Sequence, residues 1–172
     1  MSTRGAIARL NGDGFKGVYH HWDSYPTALG ATLWKLYHGF FKQNIELMLQ
    51  TLIDKHPAGW STINDKDFSI KAGFIEHGGG ESKRPLCYCH GDRQEEAQIV
   101  TDKNASGIGC EYAYVFHQNR MAVLSSYTQI TGKTEKMIGA FGMGDPKAKW
   151  RPIAVIDLNS EEPDWETIGK ED

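Results

Sequence analysis

The sequence predicts an α+β fold, one domain over residues 1–172 with a mainly antiparallel β-sheet and two α-helices packed on one face. Three observations predict it. Two β-compatible runs, residues 3–10 and 15–22, flank the turn Asn11-Gly12-Asp13-Gly14. Leu29, Leu33, Leu36, Tyr37 and Phe40 then recur at the spacing of one helical face. From residue 97 onward, short apolar runs alternate with turns, the pattern of a β meander.

In the first hairpin, Ile7 against Val18 is the clearest apolar pair. The helical layer spans about 25–56. Asp23 or Ser24 can cap its first helix, and Pro26 fits the first turn, where a missing N–H costs nothing. A second helix runs from about Asn44 to Lys55, burying Ile45, Met48, Leu49, Leu52 and Ile53. His56-Pro57 stops it, because a residue before proline avoids the α region.

Residues 57–96 read as a long irregular segment, pinned by Phe68, Ile70, Phe74 and Ile75. The meander of 97–158 takes strands from Ala97–Thr101, Cys110–His117, Met121–Thr128, Met137–Phe141 and Pro152–Leu158. In Cys110–His117 the residues Tyr112, Tyr114 and Phe116 share a face. An acidic tail, 159–172, reads as a surface strap held by Trp165 or as a frayed end.

Composition narrows the function classes. A chain of 172 residues buries a core without staples. Its net charge of −3 argues against a broad footprint for duplex nucleic acid or anionic membrane, while leaving room for a local groove. No run of about 18 apolar residues occurs, so nothing is expected to span a membrane. The N-terminus lacks the apolar stretch of a signal peptide, and three cysteines is an odd count. The expectation is a cytoplasmic protein with thiols or metal ligands in place of disulfides.

The densest chemistry lies in residues 17–30, GVYHHWDSYPTALG. A strand through residue 22 places His20 and Trp22 on one face and Tyr19 and His21 on the other. One histidine then points at the helices and one at solvent or a pocket. His21 beside Asp23 has the composition of an acid–base pair. Tyr19, His20, Trp22 and Tyr25 would bind a ligand at the strand–helix junction, with Arg4 supplying positive charge to Asp23 or to a phosphate or carboxylate. The competing structural role is a helix cap, core rings and solvated histidines.

A second constellation is Cys87-Tyr88-Cys89-His90, soft ligands for zinc, with Cys110 or a distant histidine as the fourth. In an extended chain Cys87 and Cys89 face one side and His90 the other, so three-way coordination requires a bend near Gly91. Two small buried hydrophobes beside an exposed histidine is the plainer alternative. The glycine-rich stretches Gly78–Gly80, with Lys83 and Arg84, and Ala105–Gly109, with Lys103, fit mobile loops and turns better than anion-binding nests. The loop from Phe141 to Pro146 is a turn first.

Met1-Ser2-Thr3-Arg4, followed by Tyr19-His20-His21-Trp22-Asp23-Ser24-Tyr25-Pro26 and Gly30, resembles a widespread group of small proteins from bacteria, phages and mobile elements. That group begins MSTR-x-x-I and carries Y-x-HWDGYP-x-x-x-G-x-x-L. Ser24 stands here where its glycine usually does. The resemblance covers about the first 40 residues; Cys87–Gly91, Glu111–Phe116 and Pro163-Asp164-Trp165 resemble a longer bacterial subgroup. It implies a real domain family and no particular reaction, with phage–host conflict or nucleotide-type ligands as leads. The leading expectation is a binding module for a small polar or anionic, nucleotide-like molecule. The alternatives are a hydrolase using His21 and Asp23, zinc-assisted, and a protein-interaction module.

Overall fold

The computed structural model describes residues 2–64, 68, 71–74, 84–126 and 150–168. The predicted hairpin is present as β1 (Arg4–Asn11) and β2 (Gly14–His20), with Ile7 paired to Val18. Gly12 turns it with a φ of 63°, in the left-handed region that glycine adopts without strain.

A π-helical turn, Pro26–Gly30, leads into α1 (Ala31–His38), burying Leu29, Leu33, Leu36 and Tyr37. Neither Asp23 nor Ser24 caps it. The cap position belongs to Tyr25, which makes no side-chain cap bond, because Ser24 spends its hydroxyl on His20. Phe40 lies past the helix end and is 45% exposed, so Phe41 takes the core position expected of it. The second helix is α2 (Ile45–Leu49), capped by the Asn44 side chain and continued by a π-helical turn, Gln50–Asp54.

After it come β3 (Trp60–Thr62), β4 (Leu86–Cys87), β5 (Val100–Thr101), β6 (Cys110–His117), β7 (Arg120–Ser125) and β8 (Arg151–Asp157). The expected strand at Met137–Phe141 lies outside the described residues, as do Gly78–Gly80, Lys83 and the Phe141–Pro146 loop. The stretch read as irregular contains β3 and β4, too short to show alternation.

The α+β class holds, but the eight-stranded sheet is mixed. Its order is β4-β3-β2-β1-β6-β7-β8, with β5 paired to β2. The pairs β1–β6 and β2–β3 are parallel. A parallel pair needs a long crossover, and α1 and α2 are the crossover from β2 to β3. That connection, invisible to a strand-by-strand reading, is why the helices lie on one face.

On the helical face Ile7, Val18, Tyr114, Phe116, Met121 and Val123 pack against Leu33, Leu36, Tyr37, Met48 and Leu52. The other face carries Ala6, Ala8, Ala113 and Ala122, small enough for Val100, Ala105 and Trp150 to lie close over it. In the tail, Trp165 is buried and lies within reach of Gly30, and residues 169–172 lie outside the described residues. No helix among the described residues is long and apolar enough to cross a membrane.

Gly17 is fixed by this close approach. A Cβ there would be driven into the Ile7 carbonyl oxygen and the Ala8 Cα, both backbone atoms that cannot step aside. Gly17→Ala should therefore cost about 1–3 kcal/mol or more. At Gly107 the nearest obstacle to a Cβ is the Asn104 carbonyl oxygen at 3.4 Å, so Gly107→Ala should change stability by less than about 0.5 kcal/mol. Urea denaturation of both variants decides this; equal stabilities would refute the close-approach account.

Candidate functional site

His20 and His21 separate at the end of β2, one into the protein and one out of it. His20 is 2% exposed and turned toward the helices. Its Nδ1 meets Ser24 Oγ at 2.8 Å, the Ser24 hydroxyl donates to the His20 carbonyl at 3.2 Å, and the Ile63 N–H donates to Nε2 at 3.4 Å. This set is satisfied by a neutral ring carrying its proton on Nδ1. Burial, then the neighbouring His21, pushes the His20 pKa down to about 3. Ser24 is buried, and its carbonyl accepts from the Tyr114 hydroxyl at 2.6 Å.

Tyr19 and His21 project from the opposite side and share a hydrogen bond of 2.6 Å between the phenol oxygen and Nδ1. Burial lifts the Tyr19 pKa to about 12 against the lowering effect of Arg4, so the phenol keeps its proton. Burial and Arg4 both lower that of His21. Trp22, 49% exposed, stands edge-on to His21 with ring centroids 4.6 Å apart, and does not share the buried side of His20. Asp23 is exposed at a φ of 54°, and Tyr25 is 38% exposed. The hydrogen-bonding partner of His21 is thus Tyr19, not Asp23. Arg4 donates to the Ile108 carbonyl at 3.3 Å and lies against Gly109.

The junction residues do not line the hollow of about 430 Å³ found elsewhere on the helical face, among Arg9, Lys16, Val18, Ile53, Asp54 and Ile99. There Arg9 pairs with both oxygens of Asp54, at 2.7 and 2.9 Å.

The cysteine constellation comes together as a candidate metal centre. The donor atoms of His56, Cys87, Cys89 and His90 all lie within 4.8 Å of one another. Cys87 Sγ is 3.3 Å from His90 Nδ1, and Cys89 Sγ is 3.6 Å from His56 Nδ1. A tetrahedral zinc ion, with bonds of about 2.3 Å to sulfur and 2.0–2.1 Å to nitrogen, separates sulfur from nitrogen by about 3.5 Å. These two sulfur–nitrogen separations match that edge.

The chain reaches this arrangement by leaving the strand after Cys87, so that His90 folds back, and Gly91 follows at a φ of 73°. Cys110 is not among the four. It is buried with the alanine face, and burial pushes its thiol up to about 12. The fourth member of the cluster is His56, read from sequence only as the residue ending a helix. Its signal was the tight turn that follows: Gly59, at a φ of 86°, donates to the His56 carbonyl at 2.9 Å and aims the chain back along β4. Burial, then His90 and Lys55, holds His56 down at about 4, and neutral imidazole is the form that coordinates. Burial raises the Cys89 thiol to about 11, with Cys87 adding to it.

Comparison with known protein families, curated proteins and solved structures finds no match to this chain.

The His20 geometry sets a pH dependence. Its folded pKa of about 3 lies below the ordinary histidine value of 6.5, so the unfolded chain binds the proton first and stability falls with pH below about 6.5. Between pH 7 and pH 5 this histidine alone should remove about 2 kcal/mol. Urea unfolding at the two pH values, compared with His20→Asn, measures it. An equally steep loss in the variant would show that His20 is not responsible.

Proposed function

We propose that the protein is a zinc-stabilised binding domain. A closed Cys2His2 site holds the β3–β4 edge, and the adjacent surface of Arg4, Tyr19, His21 and Trp22 takes a small polar or anionic ligand of nucleotide type. The carrying observation is the convergence of His56, Cys87, Cys89 and His90 within 4.8 Å. Two thiolates with two imidazoles favour zinc over harder cations, and four protein ligands fill a tetrahedral shell with no position left for water or substrate. The metal's role is therefore structural.

The ligand reading is supported by the composition of the surface. Trp22 offers an exposed indole, His21 has one ring nitrogen engaged by Tyr19 and one left for a ligand, and Arg4 brings a fixed positive charge nearby. A hydrolase built on His21 and Asp23 draws no such support, because His21 is oriented by the Tyr19 phenol instead of a carboxylate.

Protein purified without added metal should carry one zinc per chain, and Cys89→Ser should lose it. Stripping the metal should lower the melting temperature by about 10 °C. Absence of stoichiometric zinc, with no stabilisation on adding it, would end the metal proposal. For the ligand surface, AMP should quench tryptophan fluorescence in the native protein and not in Trp22→Ala. AMP binding unchanged by that substitution would move the ligand elsewhere.

A further inference from the structure

Tyr88 lies between Cys87 and Cys89, just past the end of β4; the two cysteines pack with the helical-face core, whereas the Tyr88 ring lies with Tyr19 on the opposite face. There it meets Tyr19 at 6.5 Å between centroids and 25° between planes, and Phe74 at 6.2 Å and 23°. Near-parallel rings so far apart do not cover one another's faces. The Arg93 guanidinium lies over both rings, its central carbon 5.0 Å from the Phe74 centroid and 5.1 Å from that of Tyr88. At the other end His21 stands edge-on to Tyr19, and Trp22 edge-on to His21.

All four rings from Phe74 to His21 are half-buried, and Trp22 is exposed. The alanine-rich face packs with Ala105, Trp150 and the β5 residue Val100 in one buried cluster, whereas these rings lie toward the β2–β3–β4 edge. Gly59 joins the two residues from within the sheet: a Cβ there would strike the Tyr19 backbone, and its carbonyl accepts from the Tyr88 N–H at 3.0 Å.

We infer that this row of rings, flanked by Arg4 and Arg93, is a platform for single-stranded nucleic acid. The inference rests on the ligand surface proposed above and names its ligand as a strand instead of an isolated nucleotide. A row of aromatic faces accepts successive bases whatever their identity, because every base has a π-face; a guanidinium lying on such rings also stacks with bases, and its N–H groups meet the phosphates. A duplex hides those faces, which agrees with a net charge of −3 and only two guanidinium groups on the platform. A proline-rich peptide would also lie on aromatic rings but has no use for the flanking cations. Glu95 opposes an anion here: its carboxylate holds Arg93 at 3.2 Å, in an exposed pair that a phosphate can displace.

Fluorescence anisotropy of the zinc-loaded full chain with a labelled oligothymidylate of about a dozen nucleotides tests the inference. Saturable binding should weaken about ten-fold in Phe74→Ala and in Arg93→Ala, two positions outside the metal ligands. Glu95→Gln should tighten it. Two phosphate contacts predict a shallow salt dependence, with a log–log slope of roughly −1.4. A duplex of equal length should compete poorly. No binding of the oligonucleotide, undiminished binding by both variants, or equal competition by duplex overturns the inference. If AMP binds through Trp22 while the strand binds no better than AMP, the small-ligand reading survives and the platform falls alone.

Discussion

Trp60 is the residue on which both candidate sites depend. Its backbone pairs with His20 on one side and with Cys87 on the other, so a single position in β3 sets the register of the junction and of the metal cluster. The indole is fully buried, its N–H donates to the Leu52 carbonyl at 2.8 Å, and the His56 ring packs on it at 4.4 Å. A buried indole with its one donor satisfied resists rotation, because any other orientation strands that donor in an apolar core. His20, His56 and Cys87 are therefore held relative to one another by one side chain and two rows of backbone pairing. A metal bound by the proposed cluster would complete this arrangement rather than create it.

The two faces of the β3–β4 edge divide the chemistry. Side chains turned to the helices are Cys87, Trp60 and His20, all buried. Side chains turned the other way are Tyr19, His21 and Tyr88, all half-exposed. Alternation along β2 separates Tyr19 from His20, and beyond the end of β4 the chain keeps Tyr88 on the side opposite Cys87, so one short segment carries candidate metal ligands inward and an aromatic ring outward. The two buried histidines are kept neutral by different means. His20 is boxed in by Ser24 and the Ile63 N–H, whereas His56 loses its charged form to burial and to the neighbouring His90.

Much of this was legible in the sequence where the signal is local. Asn-Gly and Asp-Gly between β-compatible runs define the hairpin down to its Ile7–Val18 pair, and CEYAYVFH matches β6 residue for residue. What escaped is non-local. The parallel pairing of β1 with β6 joins residues about a hundred positions apart, and no periodicity encodes it. Phe40 follows the helical spacing, yet α1 ends before it, so periodicity outran the helix. Cys110 and His56 were equally available as a fourth ligand. Only the fold distinguishes them, because β6 carries Cys110 into the alanine-lined core while the Gly59 turn brings His56 back to Cys89. Alternation did separate Tyr19 and His21 from His20, but which histidine would be buried depended on register, fixed by the pairing of His20 with Trp60.

Ser24 shows how a single polar residue ties the junction together. Its N–H donates to the Thr3 carbonyl at 2.9 Å, its carbonyl accepts from Tyr114, and its hydroxyl serves His20. Gly5 is tight against it, since a Cβ there would meet Ser24 Cβ at 2.7 Å. With every polar group of a buried serine engaged, the chain leaves β2 along one path, and Asp23 accepts a left-handed backbone to follow it. The consequence falls on the exposed side. The left-handed turn at Asp23 and the bonds of Ser24 fix the path of the chain. His21 and Trp22 are held by N–H bonds to the Trp60 and Ser61 carbonyls at 3.0 and 3.2 Å, and His21 also by the Tyr19 phenol. Rings held rigid from behind and open in front lose little entropy on meeting a ligand, and that preorganisation is what separates a binding surface from a merely exposed one.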